Sequence, residues 1–137
     1  MRNMSFMLTK AQMLDRSKTV TRRLGWWHLN LGELVQGVEK GMGLKAGEKV
    51  QRLSIIRVIE LRPEPLRAMI DNVDYGIEEC KKEGFGDHLT LRWPSEFVPF
   101  FCRSHKGCRP ETIVNRIVFE YVDDIVIAGL FDHNQGH

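Results

Sequence analysis

The chain has 137 residues, 42% of them hydrophobic and 28% charged. That is enough apolar material for one domain with a real core, too short for two comfortable ones, and it excludes a disordered chain. The formal charge is only +2, which excludes arguing for nucleic-acid binding from net charge; only the placement of the basic residues can carry that argument. Three cysteines, Cys80, Cys102 and Cys108, are too few and odd in number for a disulfide framework and fit reduced thiols. No run approaches the ~20 apolar residues that cross a bilayer, and Met1–Lys10 has no signal-peptide core. A cytoplasmic protein without membrane association is the expectation.

In chain order, Ser5–Leu8 reads as a short strand, and Thr9 can cap a brief helix with Ala11, Met13 and Leu14 inward. Thr19–Leu24 alternates as a strand does. Gly25–Gly47 holds six glycines and Asn30, so loops are predicted around a short strand at Leu34–Val38. Lys49–Leu61 is a long strand, expected to stop at Pro63 and Pro65. Two short helices follow, over Leu66–Ile70 and Gly76–Lys82. Pro94–Arg103 opens as a helix with apolar residues at 97, 98, 100 and 101, and Gly107 is a terminator. Ile113–Val122 is the last strand. The apolar stretch Ile125–Leu130 is expected to pack back on the body, and His133–His137 to fray. Strands at both ends, a long central strand and helices between them describe an α+β or barrel domain.

The segment Asp15-Arg-Ser-Lys18-Thr-Val-Thr21-Arg-Arg23 resembles the signature of ASCH domains, roughly Gly-x-Lys-x-x-Thr-x-Arg, with Arg16 where the glycine is usual. Three further pieces agree in order. Leu44-Lys-Ala-Gly-Glu-Lys-Val looks like the family's turn into a barrel strand, Glu83-Gly-Phe85 and Ser95-Glu-Phe97 like its Glu-Gly-Phe segment and following helix, and the β-run ending at Tyr121 like its last strand. The resemblance implies one ASCH domain over residues 1–137, with a core of about 4–122 and a tail of 123–137. The fold it implies is α+β: a PUA-like small mixed β-barrel with short flanking helices. The Gly25–Glu48 segment with its Trp pair is most similar to phage-type and prophage-type members. The function implied is binding of RNA or a modified nucleoside in a basic cleft. Alternatives are an N4-acetylcytidine amidohydrolase with a Lys/Thr/Glu set, a ribonuclease, or, from a different class, a regulatory protein that grips a peptide or protein partner. No cofactor is expected.

Lys18, Thr21, Arg23 and Glu83 match the family's functional positions. Amide hydrolysis needs a nucleophile, a base to activate it and an acid for the leaving nitrogen. By the resemblance, Thr21 supplies the hydroxyl, Lys18 the base if burial or Arg22 and Arg23 lower its pKa, and Glu83 the acid. Arg23 would orient a phosphate or carbonyl, and Arg22 is counted with it among the ligand-binding residues. Strict alternation puts Lys18 on the face opposite Thr21 and Arg23, so the set converges only if the strand begins after Lys18 or a bulge intervenes. The plainer alternative is a barrel strand with solvated basic residues. Trp26 and Trp27 suit base stacking beside arginines. One of them is expected in the cleft, although such pairs more often split between core and surface. Cys102-x-x-His105-x-x-Cys108 offers three zinc-type ligands without a nearby fourth, so no metal is expected.

Overall fold

In a computed structural model, which describes residues 1–41 and 43–122, five strands form one mixed sheet: Arg2–Ser5 (β1), Val20–Arg23 (β2), Leu34–Val38 (β3), Arg52–Pro65 (β4) and Ile113–Tyr121 (β5). Their order is β1-β3-β4-β5-β2. β1 runs parallel to β3 and the other neighbours are antiparallel. The sheet curls into a half-barrel, so its two edge strands approach each other. The Arg23 guanidinium on β2 donates across that seam to the Ser5 carbonyl on β1, at 2.6 Å.

Among the described residues four helices accompany the sheet: Lys10–Leu14 (α1), Ala68–Asp71 (α2), Val73–Cys80 (α3) and Pro94–Ser104 (α4). A wide π-type turn over Lys81–Phe85 continues α3. This is the α+β, PUA-like arrangement of the sequence reading, with the three long predicted strands in one sheet. None of the described helices is long and apolar enough to cross a membrane.

Alternation along β5 explains why the two larger apolar clusters lie on opposite faces. Ile117 and Phe119 point into the half-barrel with Met4, Phe6, Met13, Val35, Ile56 and Val58. Val114 points to the other face, where Leu66, Met69, Phe97, Val98 and Phe101 of the helical side pack. Each fully buried side chain of this size contributes about 1.5–3 kcal/mol.

Local readings shift in three places. The first strand is Arg2–Ser5, because parallel pairing with β3 sets its register. Phe6 makes one more backbone bond to Val38, and the chain then leaves the sheet with Met7 and Leu8 exposed. In α1 only Met13 is buried; Ala11 and Leu14 face outward, since a helix of little more than one turn offers the core a single position. Pro63 and Pro65 lie inside β4, paired with Asn115 and Ile113. β3 borders β4 only as far as Arg57, so beyond it a proline nitrogen can face an unpaired edge. Residues 123–137, with the packing expected of Ile125–Leu130 and the fraying of His133–His137, lie outside the described residues.

Candidate functional site

The strand β2 begins at Val20, one residue after the Thr19 amide donates to the Lys82 carbonyl at 2.8 Å. Lys18 therefore precedes the strand and escapes its alternation. The bond from Thr19 pins the Lys81–Phe85 turn against the base of β2. Within that turn Gly84 has φ of 99°, and a Cβ there would meet Gln12 Cβ at 3.1 Å; glycine permits both the left-handed backbone and the close approach. The result places Glu83 beside Lys18. Lys18 Nζ donates to the Glu83 carbonyl at 2.6 Å and to its carboxylate at 3.1 Å, with the rings of Phe6 and Phe85 each 5.9 Å away. Burial pushes the Lys18 pKa down, Glu83 opposes that shift, and Arg23 and Arg22 add to it.

Beneath this pair lies a buried ionic cluster. Arg22 points to the helical face and binds Glu83 at 3.1 Å, Glu64 at 3.1 Å and Glu79 at 2.6 Å. Arg116 shares Glu79, and the Tyr75 hydroxyl donates to Glu64 at 2.7 Å. Burial would lower Arg22, but the three carboxylates more than offset it and hold the guanidinium charged. Burial would raise Glu79, yet Arg116 and Arg22 bring it down to about 2.

Above the cluster is a pocket of about 360 Å³. Lys18, Thr21, Arg22, Arg23 and Glu83 all line it, so the structure brings these five sequence-predicted residues together. Thr21 and Arg23 face inward from β2. Thr21 Oγ accepts from Arg23 Nε at 3.0 Å, which leaves the hydroxyl proton free to be donated. Burial lowers the Arg23 pKa to about 10, with Glu83 opposing. The walls are aromatic: Phe85, Phe97, Phe100 and Phe101.

Neither tryptophan lines this pocket, contrary to the expectation for one of them. Gly25, with φ of 101°, and Trp26 itself, at 60°, turn the chain away after β2. Trp26 packs against the half-barrel core with the Arg2 guanidinium 5.2 Å from its ring, while Trp27 is 52% exposed. In the Cys-His-Cys segment, Cys102 and Cys108 have their sulfurs 3.8 Å apart. His105 donates from Nδ1 to the Phe101 carbonyl at 2.8 Å and stacks on the Phe101 ring, with centroids 4.2 Å apart. No group of three His, Cys, Asp or Glu among the described residues is arranged to hold a metal ion.

Compared with solved structures, this arrangement matches an ASCH domain from Lactobacillus crispatus JV V101 with a TM-score of 0.57 at 15% identity, covering 88% of this chain and 78% of that one. The fold is that of an ASCH domain. It also matches a DUF984 protein from Enterococcus faecalis V583, with a TM-score of 0.52 at 19% identity, over 84% of this chain and 70% of that one. No family model and no curated protein matches the sequence.

Within this ASCH fold, sequence reasoning missed the aromatic wall and the cluster under the floor. The wall had a visible signal in the apolar residues of α4 at Phe97, Phe100 and Phe101. The cluster had a fainter one: Glu79 and Glu83 lie four residues apart, one turn of helix, and Arg116 sits between the apolar runs of the last strand.

Proposed function

We propose that the pocket binds one nucleoside-type ligand, a modified nucleoside such as an acylated cytidine, taken alone or from RNA. The observation that carries this reading is the contrast between walls and floor. Four phenylalanines offer faces and edges to a planar ring, and Lys18, Thr21 and Glu83 offer a donor, a hydroxyl and an acceptor to its polar edge. Of the floor cations, Lys18 and Arg22 are matched by carboxylates, and the buried Arg23 turns its donors to the Thr21 hydroxyl and the Ser5 carbonyl. A neutral heterocycle suits such a floor better than a bare phosphate, which would have to draw one of these cations from its partners. The volume lies at the small end of ligand pockets, which span about 300–1,000 Å³, and fits one ligand unit rather than a helical groove. Calorimetric titration with N4-acetylcytidine, cytidine and uridine tests this. Saturable one-to-one binding to at least one is expected, and no heat with any of the three at millimolar concentration would overturn it.

A second reading, hydrolysis of the N4-acyl amide, is favoured by the lowered Lys18 pKa in a pocket shared with Thr21 and Glu83. Thr21 Oγ would attack the acetyl carbonyl as Lys18 accepts its proton. Both steps start from the tautomer of the Lys18–Glu83 pair in which Glu83 holds the shared proton: Glu83 would give it to the leaving exocyclic nitrogen and then take one from the water that releases acetate, while Lys18 returns its proton to Thr21. No hydrogen bond joins Lys18 to Thr21 among the described residues, so the transfer would run once the ligand brings the two groups into contact. Release of cytidine from N4-acetylcytidine separates this enzyme from a reader of the same ligand.

A further inference from the structure

The pocket has a neighbour. Leu8, Phe85 and Phe100 line it and also line a second hollow of about 270 Å³, whose remaining walls include His88, Thr90, Glu96 and Arg103. The two are adjoining compartments of one cleft along α4, and they differ in their electrostatics. In the inner one Lys18 and Arg22 are held by carboxylates, and Arg23 is buried with its donors on the Thr21 hydroxyl and the Ser5 carbonyl. In the outer one Arg103, on the last turn of α4, is exposed and has no ion pair or side-chain hydrogen bond among the described residues.

His88 supplies a second donor there. Its Nδ1 accepts from the backbone amides of Thr90 and Leu91 at 3.1 and 3.0 Å. A nitrogen that accepts two N–H bonds carries no proton, so in the neutral ring the proton sits on Nε2. The ring is held in place by these bonds and by edge contact with Phe85, with centroids 5.8 Å apart.

We infer that the outer compartment holds the ribose phosphate of a ligand whose base lies in the inner one, so that the protein takes a phosphorylated nucleoside, free or as a unit of an RNA chain. This rests on the nucleoside reading of the inner pocket and extends it. Arg103 presents a planar fork of donors suited to phosphate oxygens, with His88 Nε2–H as a neutral donor beside it. Glu96, the carboxylate of this compartment, accepts from ribose hydroxyls and repels additional phosphates, which favours a single phosphate over a chain of them.

The test titrates wild-type protein and Arg103→Gln with N4-acetylcytidine, its 3′- and 5′-monophosphates, and a trinucleotide carrying it at the centre. Arg103 is exposed, so the variant should melt with the wild type. In the wild type one monophosphate should bind about tenfold more tightly than the nucleoside at low salt, the scale of one charge-assisted contact. Arg103→Gln should abolish that difference and leave nucleoside affinity within about twofold. A trinucleotide that binds more tightly than the monophosphate assigns the ligand to RNA, and equal or weaker binding assigns it to a free nucleotide; both agree with the inference. Nucleoside binding that a phosphate does not strengthen, or a phosphate gain that survives Arg103→Gln, would overturn this inference and leave the nucleoside reading standing. No binding by any probe would overturn both.

Discussion

Arg22 and Arg116 stand directly opposite one another on β2 and β5, and Glu79 reaches from α3 to bind both. Like charges facing across a strand pair repel, so this register depends on the carboxylate between them. The same glutamate ties the helical face to the sheet immediately under the pocket floor, making its charge a condition of the site's shape.

Glu79→Gln should therefore be costly. Removing one member of a buried ionic cluster leaves the others uncompensated, at about 3–5 kcal/mol. Arg67→Ala, which breaks an exposed pair with Asp71, should cost no more than about 0.5 kcal/mol. Urea denaturation of both variants checks this; similar small losses would mean that water or rearrangement rescues the cluster.

Stability should fall in acid through the same residue. The folded Glu79 pKa of about 2 lies below the ordinary 4.5, so its contribution is complete above pH 4.5 and is lost as the pH drops toward 2. Glu64 is shifted in the same direction, its burial outweighed by Tyr75 and Arg22. Lys18 acts in the same direction at the alkaline end. Its folded pKa is lowered by burial from 10.5, so the unfolded chain holds more protons below that value, and stability should gain as the pH rises toward it. Denaturation midpoints across pH, for wild type and Glu79→Gln, should show the acid loss flattened in the variant.

Arg23→Ala should loosen the seam between β1 and β2. It removes the bonds to the Ser5 carbonyl and Thr21 Oγ and the contact with the Phe6 ring, 4.7 Å away. A loss of about 1–3 kcal/mol is expected for charged hydrogen bonds of this kind. Hydrogen exchange should rise at the Met4–Phe6 amides in particular; unchanged exchange there would show that backbone pairing with β3 alone holds the edge.

If the pocket hydrolyses N4-acetylcytidine, Lys18→Ala, Thr21→Ala and Glu83→Gln should each lower kcat by about 10²–10⁴ with smaller changes in KM, since each group acts mainly in the transition state. Thr21→Ser should keep measurable turnover. Cytidine release followed by chromatography decides the matter. Wild-type protein that releases none at high concentration is a reader of its ligand.

The thiols should separate by burial. Cys80 is 0% exposed, and its pKa is pushed up to about 12, by burial first and then by Glu83. Cys102 and Cys108 are partly exposed. A disulfide reagent at pH 8 should titrate these two in the native protein and Cys80 only after denaturation. Rapid native reaction of all three would show that α3 opens readily.

Local patterns carried much of the fold. Leu34–Val38 has the bounds its apolar run predicts, the last strand lies within one residue of its prediction, and α4 buries Phe97, Val98 and Phe101 on one stripe as its spacing requires. The resemblance at Lys18, Thr21 and Glu83 named residues that share one pocket. Periodicity and turn chemistry act over a few residues, so they are legible in a linear chain.

What the tertiary structure decided is where distant segments meet. The partners of Arg22 lie 42, 57 and 61 residues away in sequence, and no local pattern says that a basic strand will be neutralised from the helical side. The same holds for the Trp pair, whose direction follows from two positive-φ residues, and for the prolines of β4, tolerated only because β3 ends short of them. Burial and charge pairing are properties of the assembled chain: each depends on which surfaces the fold removes from water, and that is set by all the elements together.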